Sequence, residues 1–220
     1  MARVLSSFCL LAILVLGGSA NVGQEIPQKR PNNPVERQVP YTNVDLLTTR
    51  NAFQAALGPT RAPGGVASVF GCEEDPPRQV FRGMGQQIGE IMDQFVSMDP
   101  KYRWELDDGV INLLPVAGEP ALLKTRIPAF DAEDLTSAGE AAGRIEQFPE
   151  VRKAVGDLRL SWGLKVFSIL VSPNPKKFSM HFKGGTLREA LNAAARAEGA
   201  SIWDYTEKHC DGKNEVWISF

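Results

Sequence analysis

The cysteines are the residues of this 220-residue chain with the widest range of chemistry. Cys9 lies inside an N-terminal apolar run, which leaves Cys72 and Cys210 for the folded region. In an oxidising compartment this pair could form a disulfide, whose 138-residue separation (210 − 72) would stabilise the fold by about 4–5 kcal/mol in the chain-entropy model. The alternative is a secreted hydrolase that uses Cys210 as nucleophile and His209 as base. Adjacent strand residues point to opposite faces, so we favour the disulfide.

Three tryptophans could form a contact surface. Trp217 lies between Val216 and Ile218 in a strand-like segment, so it points outward if those two pack on a helix. Exposed aromatic residues mark contact surfaces, although another part of the chain could also cover this one. Trp104 and Trp203 stand at equivalent places in two similar segments, and a groove between them could bind a small ligand or glycan.

Other chemistry lacks its sequence signature. The chain has no G-x-S-x-G elbow, no H-E-x-x-H motif and no phosphate loop, and Gly184-Gly185 lacks the lysine that would grip a phosphate. The acidic residues at 73–75 and 107–108 do not have the spacing of a calcium loop. A net charge of −2 excludes a wholly basic surface. We therefore expect no metal, no cofactor and no nucleic-acid partner.

The N-terminus predicts export. Residues 1–20 combine an early arginine, a short apolar run and small residues before Asn21, which is typical of a cleaved signal peptide. No other apolar stretch is long enough to span a membrane, and residues 164–171 (LKVFSILV) form a strand-length run. Residues 21–42 carry four prolines and many polar residues, which predicts a disordered leader. The mature protein would then be periplasmic or extracellular.

An internal repeat organises the rest of the chain. Residues 79–106 align without gaps to residues 178–205 at an offset of 99, with Ile88 matching Leu187 and Trp104 matching Trp203. Each copy predicts a strand, a helix and a hairpin. The repeat divides the chain into a first unit over 43–118 and a second over 122–220.

The finer elements follow from local signals. We predict a helix over 43–57 that begins at Asn43, a chain break at Pro63-Gly64-Gly65, a strand over 122–130 and a helix over 132–155 that Pro149 divides. One or two further strands are expected over 158–171. Asp108-Gly109 predicts a tight turn, and residues 207–212 a longer one.

The second copy resembles a known module. Residues 178–191 (FSMHFKGGTLREAL), followed by Gly199-Ala-Ser-Ile-Trp203 and Val216-Trp-Ile-Ser219, are similar to the short N-terminal domain of secretins and TonB-dependent transducers. The likeness is best over 178–220, and in the first copy Gln86-Gln87-Ile88 replaces Gly-Thr-Leu. The resemblance implies a small βαβ-βαββ domain that docks other proteins in the periplasm and is not catalytic.

The sequence therefore predicts an α+β fold of two repeated strand-helix-hairpin units, the second expanded into a secretin/TonB-like domain. We expect a non-enzymatic envelope protein that docks another envelope protein or a copy of itself. The expected contacts are the edge strand of the C-terminal hairpin and the surface that carries Trp217, with Trp203 and Trp104 as further candidates.

Overall fold

The computed structural model describes residues 33–40, 42–72, 78–83, 85–163, 176–199 and 201–220. The predicted signal peptide, the leader up to residue 32 and the apolar run at 164–171 lie outside the described residues. The elements, in chain order, are β1 (Thr42–Thr48), α1 (Thr49–Leu57), β2 (Gly64–Gly71), β3 (Arg78–Gly83), α2 (Ile88–Met98), β4 (Tyr102–Asp107), β5 (Val110–Pro115), β6 (Arg126–Ile127), β7 (Phe130–Leu135), α3 (Ala138–Glu146), α4 (Pro149–Asp157), β8 (Ser161–Trp162), β9 (Phe178–Phe182), β10 (Gly185–Thr186), α5 (Leu187–Glu198), β11 (Ile202–Cys210) and β12 (Lys213–Ser219). The protein is thus a mixed α+β fold.

The centre of the fold is a six-stranded mixed sheet in the order β4-β5-β2-β11-β12-β8. β4 with β5 and β11 with β12 are antiparallel hairpins, while β5–β2, β2–β11 and β12–β8 are parallel pairs. We call β1–β5 the first half and β6–β12 the second half. The parallel pair β2–β11 joins the two halves over eight residue pairs, from Gly64 with Ile202 to Gly71 with His209.

Helices pack on both faces of this sheet. The first core joins α1 and α2 to one face and includes Phe53, Val66 and Phe95. The second core joins α3, α4 and α5 to the other face and includes Ala67, Leu191 and Tyr205. Val66 and Ala67 are neighbours on β2, so the alternation of side chains along the strand assigns the two cores to opposite faces. In the described part of the chain, three two-stranded antiparallel ribbons lie outside this sheet: β1–β3, β6–β10 and β7–β9.

Capping and apolar spacing explain the two helices that begin the matching segments. Thr186 accepts from the Glu189 N–H at 3.2 Å, and the Glu189 carboxylate accepts from the Thr186 N–H at 2.6 Å, which is a complete capping box at the start of α5. In α2 the Glu90 carboxylate accepts from the Gln87 N–H at 3.1 Å. The predicted apolar stripes are buried in both helices: Ile88, Ile91, Met92 and Phe95 in α2, and Leu187, Ala190, Leu191 and Ala194 in α5.

Several local predictions are confirmed. Pro149 divides the helical region into α3 and α4, because a proline is tolerated in the first turn of a helix and not in its interior. The turn between β4 and β5 has positive φ angles of 47° at Asp108 and 79° at Gly109, the conformation that favours an Asp-Gly pair.

Three helix and strand assignments were wrong. Residues 42–48 form β1, and α1 begins only after Thr48, whose hydroxyl accepts from the Asn51 N–H at 3.3 Å. Pairing with β3 holds this segment extended, so a tertiary contact overrides its helix-like pattern. Within 122–130 a 3₁₀ turn precedes the two-residue β6, and β7 occupies 130–135, where the helix was expected.

The turn and leader predictions also change. The second hairpin turns as tightly as the first, with φ of 47° at Asp211 and 75° at Gly212, because β11 continues to Cys210. The leader is not disordered over residues 33–40. Val39 is fully buried in the first core and exchanges backbone hydrogen bonds of 2.9–3.0 Å with Gln86 and Gly85.

Among the helices in the described part of the chain, none combines the length and the apolar character needed to cross a membrane.

Candidate functional site

The candidate site has two parts. One is the junction, where β2 of the first half pairs with β11 of the second, and the other is the sheet face that carries Trp217. At the end of the β2–β11 pair, Cys72 and Cys210 form a disulfide with a Cα–Cα distance of 4.6 Å. The pairing predicted from the sequence therefore exists, and it links adjacent parallel strands from different halves. Cys210 has no free thiol in this state, so the geometry gives the hydrolase hypothesis no nucleophile.

Trp203 is a structural residue of the junction. Its side chain is fully buried, and its indole N–H donates to Asn192 of α5 at 2.7 Å. The ring lies against Gly65 of β2, where a Cβ atom would come within 1.9 Å of it. Only glycine fits beneath the ring, and Trp203 is not available as the partner contact that the sequence suggested.

Trp104 occupies the matching place in the first half. Its indole N–H donates to Asp93 of α2 at 2.8 Å, and the ring packs, partly buried, against the first core. Trp203 belongs to the second core, on the opposite face of the sheet. The two rings therefore do not line one groove, so they do not form the ligand site that the sequence suggested.

Trp217 lies on the sheet face opposite the described helices of its own half, α3, α4 and α5. Its neighbours Val216 and Ile218 are buried in the second core with α3 and α5, so Trp217 points to the other face, as the alternation predicted. One side of the ring rests on Gly163, directly after β8, where a Cβ would approach to 2.0 Å. The side chain is only partly buried. Trp217 is thus the predicted contact residue best placed to meet a partner.

A buried carboxylate connects the halves on that same face. Asp204 of β11 is 2% exposed, pairs with Arg50 and accepts a hydrogen bond from Gln54 at 3.1 Å, both from α1. Burial raises the pKa of Asp204 above its usual value, and the charge and hydrogen bond of Arg50 offset only part of that rise. This polar contact fixes α1 of the first half on a strand of the second.

On the opposite face, α5 reaches back onto the first half. Arg188 pairs with Glu105 of β4 and lies 3.1 Å from the Glu119 carboxylate and 3.6 Å from that of Asp107. Burial acts to raise the pKa of Glu105, but the hydrogen bonds of Arg103 and Arg188 outweigh it and leave that pKa below its usual value. Arg196 adds a hydrogen bond of 2.7 Å to the Asp108 carbonyl.

The two ends of the sheet carry its outer strands. The C-terminal hairpin was expected to supply an edge strand, but β8 pairs with Glu215 and Val216, so β12 is not the last strand. Neither the outer side of β4 nor that of β8 has a strand partner within the described residues.

A shallow cleft of about 320 Å³ lies between the β4–β5 turn and the start of α5. Its charged lining includes Asp108 and Arg196, which pair with each other. In the described part of the chain no three His, Cys, Asp or Glu side chains come together in a way that could hold a metal ion.

Sequence reasoning missed Gly65, Gly163, Asp204 and Arg188. The available signal was the pair Gly64-Gly65 directly before an apolar strand-like run: a glycine inside a strand marks a close approach of another group. Comparison with known proteins finds no matching family, no similar curated protein and no similar solved structure.

Proposed function

We propose that this protein is a non-enzymatic docking protein of the cell envelope, built from two copies of a unit like the short N-terminal domain of secretins and TonB-dependent transducers. The pairing pattern of the two halves supports the repeat. Each half contains an antiparallel ribbon (β1–β3 or β7–β9), a parallel pair (β2–β5 or β8–β12) and a hairpin (β4–β5 or β11–β12). Helices on one face of the sheet complete each copy, α1 and α2 in the first half and α3, α4 and α5 in the second.

Equivalent side chains repeat as well. α2 and α5 begin at Ile88 and Leu187, 99 residues apart, and both residues are fully buried. Eleven residues before each hairpin tryptophan, the helix supplies the acceptor for its indole N–H, Asp93 for Trp104 and Asn192 for Trp203. This hydrogen bond at equivalent positions supports the proposed repeat.

The observation that carries the docking function is the face around Trp217. A partly buried tryptophan lies flat on a glycine beside an outer strand, while the helices packed against its own strand lie on the other face. Aromatic residues placed this way supply much of the binding energy at interfaces. The proposed contact is therefore the side chain of Trp217 together with the sheet face around it.

Export is the remaining part of the proposal. A disulfide between Cys72 and Cys210 is expected in an oxidising compartment and is rare in the cytosol. The signal-peptide pattern of residues 1–20 supports the same location.

The test compares Trp217→Ala with Phe220→Ala. Phe220 lies one residue beyond the same strand, is 37% exposed and belongs to the alternate set of side chains, which makes it a matched control. Tagged proteins are recovered from the envelope of the producing cells after brief cross-linking. We expect a stoichiometric partner, either another protein or an untagged copy, with the wild type and with Phe220→Ala. The Trp217→Ala variant should no longer recover this partner, although its melting temperature should equal that of the wild type. Equal recovery by both variants would contradict the proposed surface.

A further inference from the structure

We infer that the Cys72–Cys210 disulfide is a site of thiol–disulfide exchange in the folded protein, and that its reagent is a dithiol without negative charge around the attacking sulfur. The bond lies directly after the last residue pair of β2 and β11, Gly71 with His209, and cross-links the two halves at the end of the junction. Exchange at this bond does not depend on the proposed docking function.

The position of the bond makes it accessible. Cys72 is exposed and Cys210 is partly buried, whereas Val66 and Asp204, earlier on the same two strands, lie in the interior. A thiolate can reach an exposed disulfide while the protein stays folded, and exposed disulfides are the more readily exchanged ones in proteins. The bond is therefore placed where a reagent in solution can meet it.

Two charged side chains distinguish the two sulfur atoms. The Asp211 carboxylate lies 3.7 Å from the Cys72 sulfur, and a negative charge there disfavours a thiolate on Cys72. Lys213 is paired with Cys210 across the hairpin, so both side chains point to the same face, and an ammonium group favours the thiolate form of a neighbouring cysteine. The geometry therefore makes Cys72 the sulfur that is attacked and Cys210 the sulfur that leaves.

The exchange with a dithiol takes place in two displacements. In the first, a thiolate of the reagent forms a bond to the Cys72 sulfur, the bond to Cys210 breaks, and the electron pair remains on the Cys210 sulfur. In the second, the other thiolate of the reagent attacks the reagent's own sulfur in this mixed disulfide and displaces Cys72. The reagent is oxidised to a disulfide, and its two protons pass to Cys72 and Cys210.

The Asp211 carboxylate also selects the reagent. Its negative charge repels an anionic thiol that approaches Cys72 and attracts a thiol that carries an ammonium group. The matching protein partner is a dithiol oxidoreductase whose nucleophilic cysteine has basic or neutral surroundings.

The first experiment tests whether the bond reacts in the folded state. The purified, oxidised chain is treated with dithiothreitol, and its free thiols are counted by mass after acid quenching and alkylation. The reduction rate should be the same in buffer and in urea below the unfolding transition. A rate that rises steeply with urea would overturn the inference, because the bond would then react only after the protein unfolds.

The second experiment tests direction and charge with two small thiols, cysteamine, which is cationic, and 3-mercaptopropionate, which is anionic. With both reagents the first mixed disulfide should form on Cys72. The Asp211→Asn variant should react more slowly with cysteamine and faster with 3-mercaptopropionate, each by about three-fold, which is the size that Coulomb's law gives for unit charges a few ångströms apart in water. Asparagine tolerates the left-handed conformation of Asp211, so the turn should be retained.

Asp108→Asn is the matched control, because Asp108 has the same φ of 47° in the turn between β4 and β5. It should leave both rates unchanged. A first adduct on Cys210, or rates that Asp211→Asn does not change, would refute the proposed direction and selectivity. If Asp211→Asn misfolds, the wild type in high salt decides, because screening should slow cysteamine and accelerate 3-mercaptopropionate. Rates that salt leaves unchanged would contradict the role of Asp211.

Discussion

The two halves of this protein share three strand pairings, an antiparallel ribbon, a parallel pair and a hairpin, and they differ in what surrounds them. Trp203 of the second half is fully buried, whereas its counterpart Trp104 is partly buried, although both donate to the equivalent helix position. The difference in burial between the two tryptophans comes from the strand beside each of them. β11 has β2 beside it, with Gly65 beneath the indole ring, and β4 is an outer strand.

β2 and β8, which occupy equivalent places in the two halves, also differ in their position in the sheet. β2 is eight residues long and sits between β5 and β11, while β8 is two residues long and pairs only with β12 among the described strands. The comparison teaches that similar strand pairings in the two halves can bury equivalent side chains to different depths, according to their position relative to the junction.

The largest difference is expected between the two tryptophans. Trp203→Ala should lower the free energy of unfolding by about 3–5 kcal/mol, because it empties a buried site and leaves Asn192 without its donor. Trp104→Ala should cost only about 1–2 kcal/mol, since part of that ring already contacts water. Urea denaturation measures both values. Similar losses would show that the junction does not add to the burial of Trp203.

The disulfide should contribute nearly as much as Trp203 to the free energy of unfolding. Replacing both Cys72 and Cys210 by serine should lower the free energy of unfolding by about 2–5 kcal/mol, because the bond closes a long loop in the unfolded chain. Reducing the wild-type protein should have the same effect. A double variant as stable as the oxidised protein would mean that the junction does not depend on this bond.

A smaller difference is expected at the helix starts. Thr186→Ala removes the hydroxyl that accepts from Glu189 and should cost about 1 kcal/mol. Gln87→Ala, at the equivalent place in α2, should cost less than about 0.5 kcal/mol, because glutamine is not among the strong N-caps. Thermal unfolding followed by circular dichroism compares the two. A greater loss of stability for Gln87→Ala than for Thr186→Ala would contradict the assignment of Thr186 as the stronger N-cap.

The smallest effect concerns Asp204, which is 2% exposed, whereas Glu105 at the equivalent place in the first half is only partly buried. Its pKa in the folded state is raised above the ordinary value of about 3.9. The stability of the wild type relative to Asp204→Asn should therefore be highest below about pH 4 and fall as pH rises through the raised pKa. Urea titrations of both proteins across this range test the sign. A relative stability that rises with pH would show that Arg50 dominates burial.

Local signals predicted much of the secondary structure. The apolar stripes of α2 and α5, the turn at Asp108-Gly109 and the break at Pro149 all depend on residues close together in the chain, and the structure contains each of them. The disulfide partners could also be named, because only two cysteines follow the N-terminal run.

The failures share a physical cause, which is pairing between distant segments. β1 has a helix-like pattern but is held extended by β3. Gly64-Gly65 appeared to break the chain, whereas it begins β2 and makes room for a tryptophan 138 residues away (203 − 65). The buried Asp204 and the depth of Trp203 follow from that pairing, which no local window of sequence contains.

The pairing of β2 with β11 also constrains how the chain can fold. Residues 64–71 pair with residues 202–209. β2, the longest interior strand of the first half, therefore cannot pair with β11 until nearly the whole chain has been synthesised. Contacts of such sequence separation form slowly, and an unpaired strand in the interval is a site for aggregation. The period of synthesis before β11 is available is therefore when this chain is most exposed to aggregation.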